Sequence, residues 1–183
     1  KANVVGLHPM FGPTVSSLKG QTIIACPARV EPHLLGRLLG IFRHEGARCT
    51  IATPEEHDRM MAVVQGLTHY VTLCMAESIR RLGVDIGATR DYTSPVYQIE
   101  ISLIGRLLSQ DPELYADILQ LNPHVPEVLS ACTSSAGDLA AIVGTKDPEL
   151  FRAFFDGNSR HLGPFCAEGQ RMTDTLIDCM VNR

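Results

Sequence analysis

What this 183-residue chain lacks narrows it first. Lysine and arginine form no basic block, the net charge is -4 and the pI is about 6.0, so the electrostatic footprint of a nucleic-acid binder is missing. No uninterrupted apolar run approaches the ~20 residues of a membrane span, and no charged-then-apolar segment opens the chain as a secretion signal does. Neither nucleic acid nor a membrane is therefore an expected partner. There is no CxxC pair. The six cysteines, Cys26, Cys49, Cys74, Cys132, Cys166 and Cys179, stand far apart in mostly apolar helical surroundings. That pattern disfavours a zinc ribbon or a thioredoxin-type site, leaves no metal expected, and reads as free thiols in a reducing cytoplasm. Internal repeats and low-complexity tracts are absent. So is an initiator methionine: residues 1–6, KANVVG, read as the end of a strand, and the expectation is a chain whose first part is absent.

What is present is apolar and strongly punctuated. Hydrophobic residues make up 45% of the chain, too many for disorder. Val4-Val5 is a short apolar run, QTIIACP (21–27) is a β-rich run closed by proline, and RCTIATP (48–54) is a second. Between them Leu34, Leu35, Leu38, Leu39 and Phe42 recur at helical spacing, with Gly46 at the helix end. Residues 1–54 thus read as strand, loop, strand, helix, strand, a βαβ crossover with one strand ahead of it and the trailing edge of a larger α/β domain. From Thr53-Pro54 onward the pattern is helical. Thr53 is placed to cap a helix begun by Pro54 and running to about Leu82, and Ser94-Pro95, Asp111-Pro112, Asn122-Pro123 and Asp147-Pro148 mark further starts, with a break near Gly163-Pro164. The fold class expected is α+β, mostly α: residues 1–54 the remnant of a nucleotide-binding domain, residues 55–183 all helical.

Several polar residues stand in apolar places. In EEHDRMMAVVQGLTHY (55–70), Asp58, Ala62, Gln65 and His69 fall on one narrow face of a straight helix, Asp58 and His69 being about 20° apart. A polar helix edge and a functional stripe both fit, and His57-Asp58 also suits capping and dipole chemistry. In VYQIEISLIGRLLSQ (96–110), apolar on nearly every side, Arg106 is expected to be buried, where it needs a carboxylate or phosphate partner. An internal pair with Glu100 or another acid, and an anionic ligand, remain equal readings. Finally, GLHPMFGP (6–13) reads as neither regular helix nor regular strand. In it Pro9 forces His8 extended, Gly6 and Gly12 permit close backbone approach, and His8 is held at the open end of an α/β sheet, where imidazole can move protons near neutral pH.

Three segments in register, GLHPMFGP, EEHDRMMAVVQGLTHY and SPVYQIEISLIGRLLSQDPELYADI, resemble the prephenate and cyclohexadienyl (arogenate) dehydrogenases of tyrosine biosynthesis; they cover residues 6 to about 120. The resemblance implies a Rossmann domain followed by a helical substrate-binding and dimerisation domain of the 6-phosphogluconate dehydrogenase C-terminal type, paired into a homodimer. It implies NAD or NADP as cofactor and prephenate or arogenate as substrate, decarboxylated oxidatively in the cytoplasm. By the same resemblance His8 polarises the substrate's C4 hydroxyl, Arg106 holds the ring carboxylate, and His69 contacts the substrate's side-chain end. His57, Asp58 and Gln65 match positions behind the site or at a domain interface, and Gln98 replaces an arginine found in some relatives. No GxGxxG follows a strand, and the family's Ser and Lys segment ahead of the His-Pro loop is missing unless Lys1 is its remnant, so these 183 residues alone are not expected to bind the dinucleotide or to be active. A helical dimerisation or aromatic-acid-binding module without hydride chemistry, and a related dehydrogenase of another hydroxy acid, are the competing readings.

Overall fold

The computed structural model describes residues 2–182; Lys1, the candidate remnant of the Ser and Lys segment, lies outside them. The chain divides between Val63 and Val64 into two compact units.

The first unit is built on three strands in the order β1 (Val4–Pro9), β2 (Thr22–Arg29), β3 (Arg48–Ile51). β2 runs antiparallel to β1 and parallel to β3, with helix α1 (Pro32–His44) as the crossover between the parallel pair, as a βαβ reading requires. The central strand carries the burial: Ile23, Ile24 and Ala25 are inside, and so is Leu39 of α1, at 1% exposure. Burying a leucine this fully stabilises by about 1.5–3 kcal/mol. Beyond α1, Gly46 has a φ of 85°, and a Cβ there would lie 3.1 Å from the Lys19 Cα. Both facts require glycine at this helix exit.

The expectation that residues 6–13 avoid regular structure is corrected: Gly6 to Pro9 belong to β1, with His8 opposite Ile24 and Pro9 opposite Ile23. Proline is tolerated because β1 is the edge strand and Pro9 its last residue, where a missing N–H costs little. The Met10 N–H then donates to the Thr22 carbonyl at 2.9 Å, which carries the pairing past the proline. Close approach at Gly6 is not needed either, since an added Cβ would meet Cys26 at an ordinary 3.5 Å.

Helix α2 (Pro54–Met61) begins at Thr53. The Glu56 N–H donates to the Thr53 side chain, and the Thr53 N–H donates to the Glu56 carboxylate at 2.8 Å. This reciprocal capping box satisfies two N–H groups that the first turn leaves over. The helix does not continue straight. Ala62–Leu67 is π-helical, followed by α3 (Thr68–Arg81). Its i→i+5 bonding departs from the 100° periodicity on which a single polar face from Asp58 through Gln65 to His69 is read.

The second unit continues with the short α4 (Ile86–Thr89), a 3-10 turn at Arg90–Tyr92, α5 (Pro95–Leu108), α6 (Pro112–Gln120), α7 (Val125–Thr145), α8 (Pro148–Leu162) and α9 (Phe165–Val181). Ser94, Asp111 and Asp147 cap their helices through side-chain oxygens ahead of proline, as their positions predict. α7 starts two residues later than Asn122-Pro123 suggests, because Pro126 takes the first-turn position and Asn122 instead accepts from the His124 N–H at 2.9 Å. α4 and the 3-10 turn were not predicted. α5 packs against α3 and α9, with Ile104 and Leu107 inside. Among the described residues α7 is the one helix long and apolar enough to cross a membrane, by length and composition only. Its small residues raise the mean hydropathy without an unbroken apolar run.

Candidate active site

The first unit brings three of the predicted residues into one hydrogen-bonded chain. His8 comes from the end of edge strand β1, His57 and Asp58 from the first turns of α2. His8 Nδ1 lies 2.8 Å from His57 Nε2, and His57 Nδ1 lies 2.8 Å from Asp58 Oδ1. The two rings meet edge to face, 5.0 Å apart at 61°. The capping box fixes where α2 begins and hence which of its residues reach β1.

With Asp58 ionised and His57 neutral, the proton order of this chain follows. An ionised carboxylate only accepts, so His57 donates from Nδ1 to Asp58. In neutral imidazole the other nitrogen is then an acceptor, so His8 donates from Nδ1 to His57 Nε2. The lone pair of His8 is thereby assigned to Nε2, the nitrogen a substrate proton would reach. Burial lowers the pKa of His8 below its ordinary value, and the neighbouring His57 lowers it further. Both effects favour the neutral, proton-accepting form. The Cys26 thiol is held up by burial and by the carboxylates of Asp58 and Glu56, which keeps it a protonated bystander. All six cysteines are free.

His69 and Arg106 belong to the second unit. The His69 ring packs edge to face on Tyr115 of α6, 4.9 Å apart at 89°, and burial lowers its pKa. Tyr115 was not singled out in the sequence. The signal available was only its place in DPELYADI, the segment that follows Arg106. Arg106 is corrected on burial. The side of α5 that turns inward carries Ile104 and Leu107, and Arg106 is on the exposed side, with no ion pair to Glu100 or another acid among the described residues. Gln65 lies half-buried inside the π-helical segment. Gln98 is exposed on α5, where its carbonyl accepts from the Ser102 hydroxyl at 2.6 Å.

A dinucleotide does not fit the described residues. The helix that follows β2 is entered through PARVEP (27–32), which has no glycine. Glu31 puts a carboxylate at the N-cap, and Pro32 supplies no N–H, where a pyrophosphate needs bare amides and the positive helix end. No group of three or more potential metal ligands occurs among the described residues.

Comparison with known proteins identifies the family. The family model "Prephenate dehydrogenase, dimerization domain" matches residues 53–157. A "Probable arogenate/prephenate dehydrogenase" of Methanocaldococcus jannaschii is 34% identical over 176 residues, 95% of this chain and 40% of that protein. A "4-amino-4-deoxyprephenate dehydrogenase" of Streptomyces pristinaespiralis is 32% identical over 96% of this chain and 59% of its own length. The chain thus spans about two fifths to three fifths of these curated relatives. The crystal structure of prephenate dehydrogenase from Aquifex aeolicus in complex with hydroxyphenyl propionate and NAD+ aligns with a TM-score of 0.65 at 20% identity, over 86% of this chain and 58% of that one. That likeness carries the mostly helical α+β fold. With more than half of its residues matched by the family model, the chain belongs to the prephenate/arogenate dehydrogenase family, through that family's dimerization domain.

Proposed function

We propose that the chain is part of an NAD(P)-dependent dehydrogenase of prephenate or arogenate, which decarboxylates its substrate oxidatively to 4-hydroxyphenylpyruvate or tyrosine in the cytoplasm. In this reading residues 1–54 are the trailing part of its nucleotide-binding domain, and residues 55–183 form the helical substrate-binding and dimerisation domain. The observation that carries it is the His8–His57–Asp58 chain, in a member of this family. His8 accepts the proton of the C4 hydroxyl on Nε2 as the carbonyl forms. His57 and Asp58 act through His8: they hold its ring and its tautomer. His69 meets the substrate's side-chain end, with Tyr115 fixing its ring, and Arg106 holds the ring carboxylate. Gln65 and Gln98 support the site from behind it or from an interface. The oxidant, NAD or NADP, is bound by the complete protein, and none of these roles depends on which of the two it is.

The test is an absorbance assay of the complete protein with prephenate and with arogenate, each with NAD and with NADP. Asp58→Asn tests the positioning role. The amide removes the charge and the acceptor-only character that fix the proton order of the chain, and an orienting partner of this kind is worth about 10–100-fold in rate. The loss should fall on kcat with KM little changed, and Asp58→Glu should restore part of it. Full activity in Asp58→Asn would overturn the relay.

A further inference from the structure

Arg106 lies in the last turn of α5, and the way that helix ends concerns this residue directly. The Gln110 N–H donates to the Leu107 carbonyl at 3.1 Å, an i→i+3 bond that tightens the turn. The Arg106 carbonyl is met by side chains. The Ser109 hydroxyl donates to it at 2.9 Å and the Gln110 side-chain amide at 3.0 Å. Asp111 starts α6 at once, its carboxylate accepting from the Glu113 N–H at 3.0 Å.

Arg106 is exposed, and no ion pair holds its guanidinium among the described residues. What is held is its backbone. Helix ends fray, and a frayed turn carries a long side chain with it. Two side-chain donors on one carbonyl oppose that fraying at the residue that bears the charge. Ser109 and Gln110 are themselves exposed, so removing either opens no core. Gln110 also lines an apolar pocket of about 330 Å3 with Leu73, Leu107 and Tyr115, so its packing and its hydrogen bond must be separated by experiment.

We propose that Ser109 and Gln110 are positioning residues for substrate binding, acting through the Arg106 carbonyl to hold the guanidinium where it meets a carboxylate. This rests on the carboxylate role given to Arg106 above. Steady-state kinetics of the complete protein test it, with prephenate or arogenate, whichever is turned over. Ser109→Ala and Gln110→Met should each raise KM by about two- to tenfold, the usual worth of one neutral hydrogen bond, with kcat little changed. Methionine keeps the length and apolar stem of Gln110 but has no N–H to donate. Ser109→Thr keeps the hydroxyl and should keep the wild-type KM. In an Arg106→Ala background the two losses should add nothing to KM, because the group they position is gone. Ser94→Ala, which removes a cap at the other end of α5, should leave KM unchanged. The proposal is overturned if Ser109→Ala and Gln110→Met keep the wild-type KM while Arg106→Ala raises it. It is equally overturned if Ser94→Ala raises KM as much, or if the two losses raise KM further without Arg106. A level KM in Arg106→Ala itself would remove the carboxylate role and this proposal with it.

Discussion

The two units solve the burial problem differently. Residues 1–63 close a core on themselves: Ile23, Ile24, Ala25, Leu39, Ala47, Met61 and Ala62 are all buried. The longer second unit buries only Ile104, Leu107 and Val125 among its hydrophobic residues. It leaves Phe151 at 46%, Phe155 at 62%, Val143 at 58% and Phe165 at 54% exposure. A helix that is apolar on several sides is stable in water only when those sides are covered. The first unit thus has the more closed core of the two and holds the hydrogen-bonded His8–His57–Asp58 chain. The second is unfinished, which fits the description of its matched family model as a dimerization domain. From this contrast we expect chemistry to fail when the first unit is altered and association to fail when the second is.

The largest effect is expected in the first unit. His8→Asn in the complete enzyme should lower kcat by about 10²–10⁴-fold, the usual worth of a general base, with substrate affinity spared. Retention of most of kcat would remove His8 from the mechanism. The wild-type pH profile sharpens the same point. Because the pKa of His8 is lowered, the neutral form persists below the ordinary imidazole value near 6.5, and activity should fall only at a more acidic pH. The stability linkage has the same sign. The unfolded chain binds this proton more readily than the folded one, so stability is lost as pH falls below about 6.5 and is unaffected above it. An acid limb at or above 6.5 would contradict the burial of His8.

Next in size is association through the second unit. A two-fold dimer that covers α7 and α8 would bury the exposed phenylalanines in a self-complementary interface. Phe155→Asp should weaken the dimer by about 30-fold or more, the cost of losing a hot-spot aromatic. Sedimentation equilibrium at micromolar concentration measures both this and the wild type. A stable wild-type monomer of 20.0 kDa would break the comparison at its root.

How much of this was legible in sequence follows from the range of each interaction. Caps are local, so Thr53, Ser94, Asp111 and Asp147 could be read three residues at a time, and the structure has all four. The βαβ crossover followed from apolar periodicity. The π-helical segment had no such signal, since AVVQGL differs little from an ordinary helix sequence. The His8–His57 contact joins residues 49 apart, and only the family resemblance had drawn both into one account. Burial of Arg106 was misread for an instructive reason. The apolar residues around it are themselves partly exposed, Leu103 at 50% and Leu108 at 58%, so an apolar neighbourhood in sequence was not a buried one in the chain.

That exposure sets the third prediction. Arg106→Ala should raise KM for prephenate by about tenfold or more with a smaller change in kcat, as expected for loss of one charge-assisted carboxylate contact. If kcat falls and KM stays level, Arg106 acts on the reacting centre instead and its assigned role is wrong.

The smallest effect separates positioning from stability in the first unit. Thr53→Ala removes the side chain that accepts from the Glu56 N–H and so undoes one half of the capping box. Loss of a threonine cap costs about 1 kcal/mol. The carboxylate of Glu56, held below its ordinary pKa by the Thr53 backbone and side chain, should also titrate closer to the ordinary value. In the wild type that depressed pKa stabilises the fold above about pH 4.5 and ceases to do so as pH falls through the lower folded value; in Thr53→Ala this acid-side dependence should shrink. Because α2 carries His57 and Asp58, a frayed first turn should also lower kcat by a few-fold without touching the dimer. Ser94→Ala, which removes a cap of the same kind in the second unit, should cost similar stability and leave kcat unchanged. Denaturant melts and steady-state rates on the two variants decide it. Equal kcat losses in both would mean that the relay depends on overall stability and not on where α2 begins.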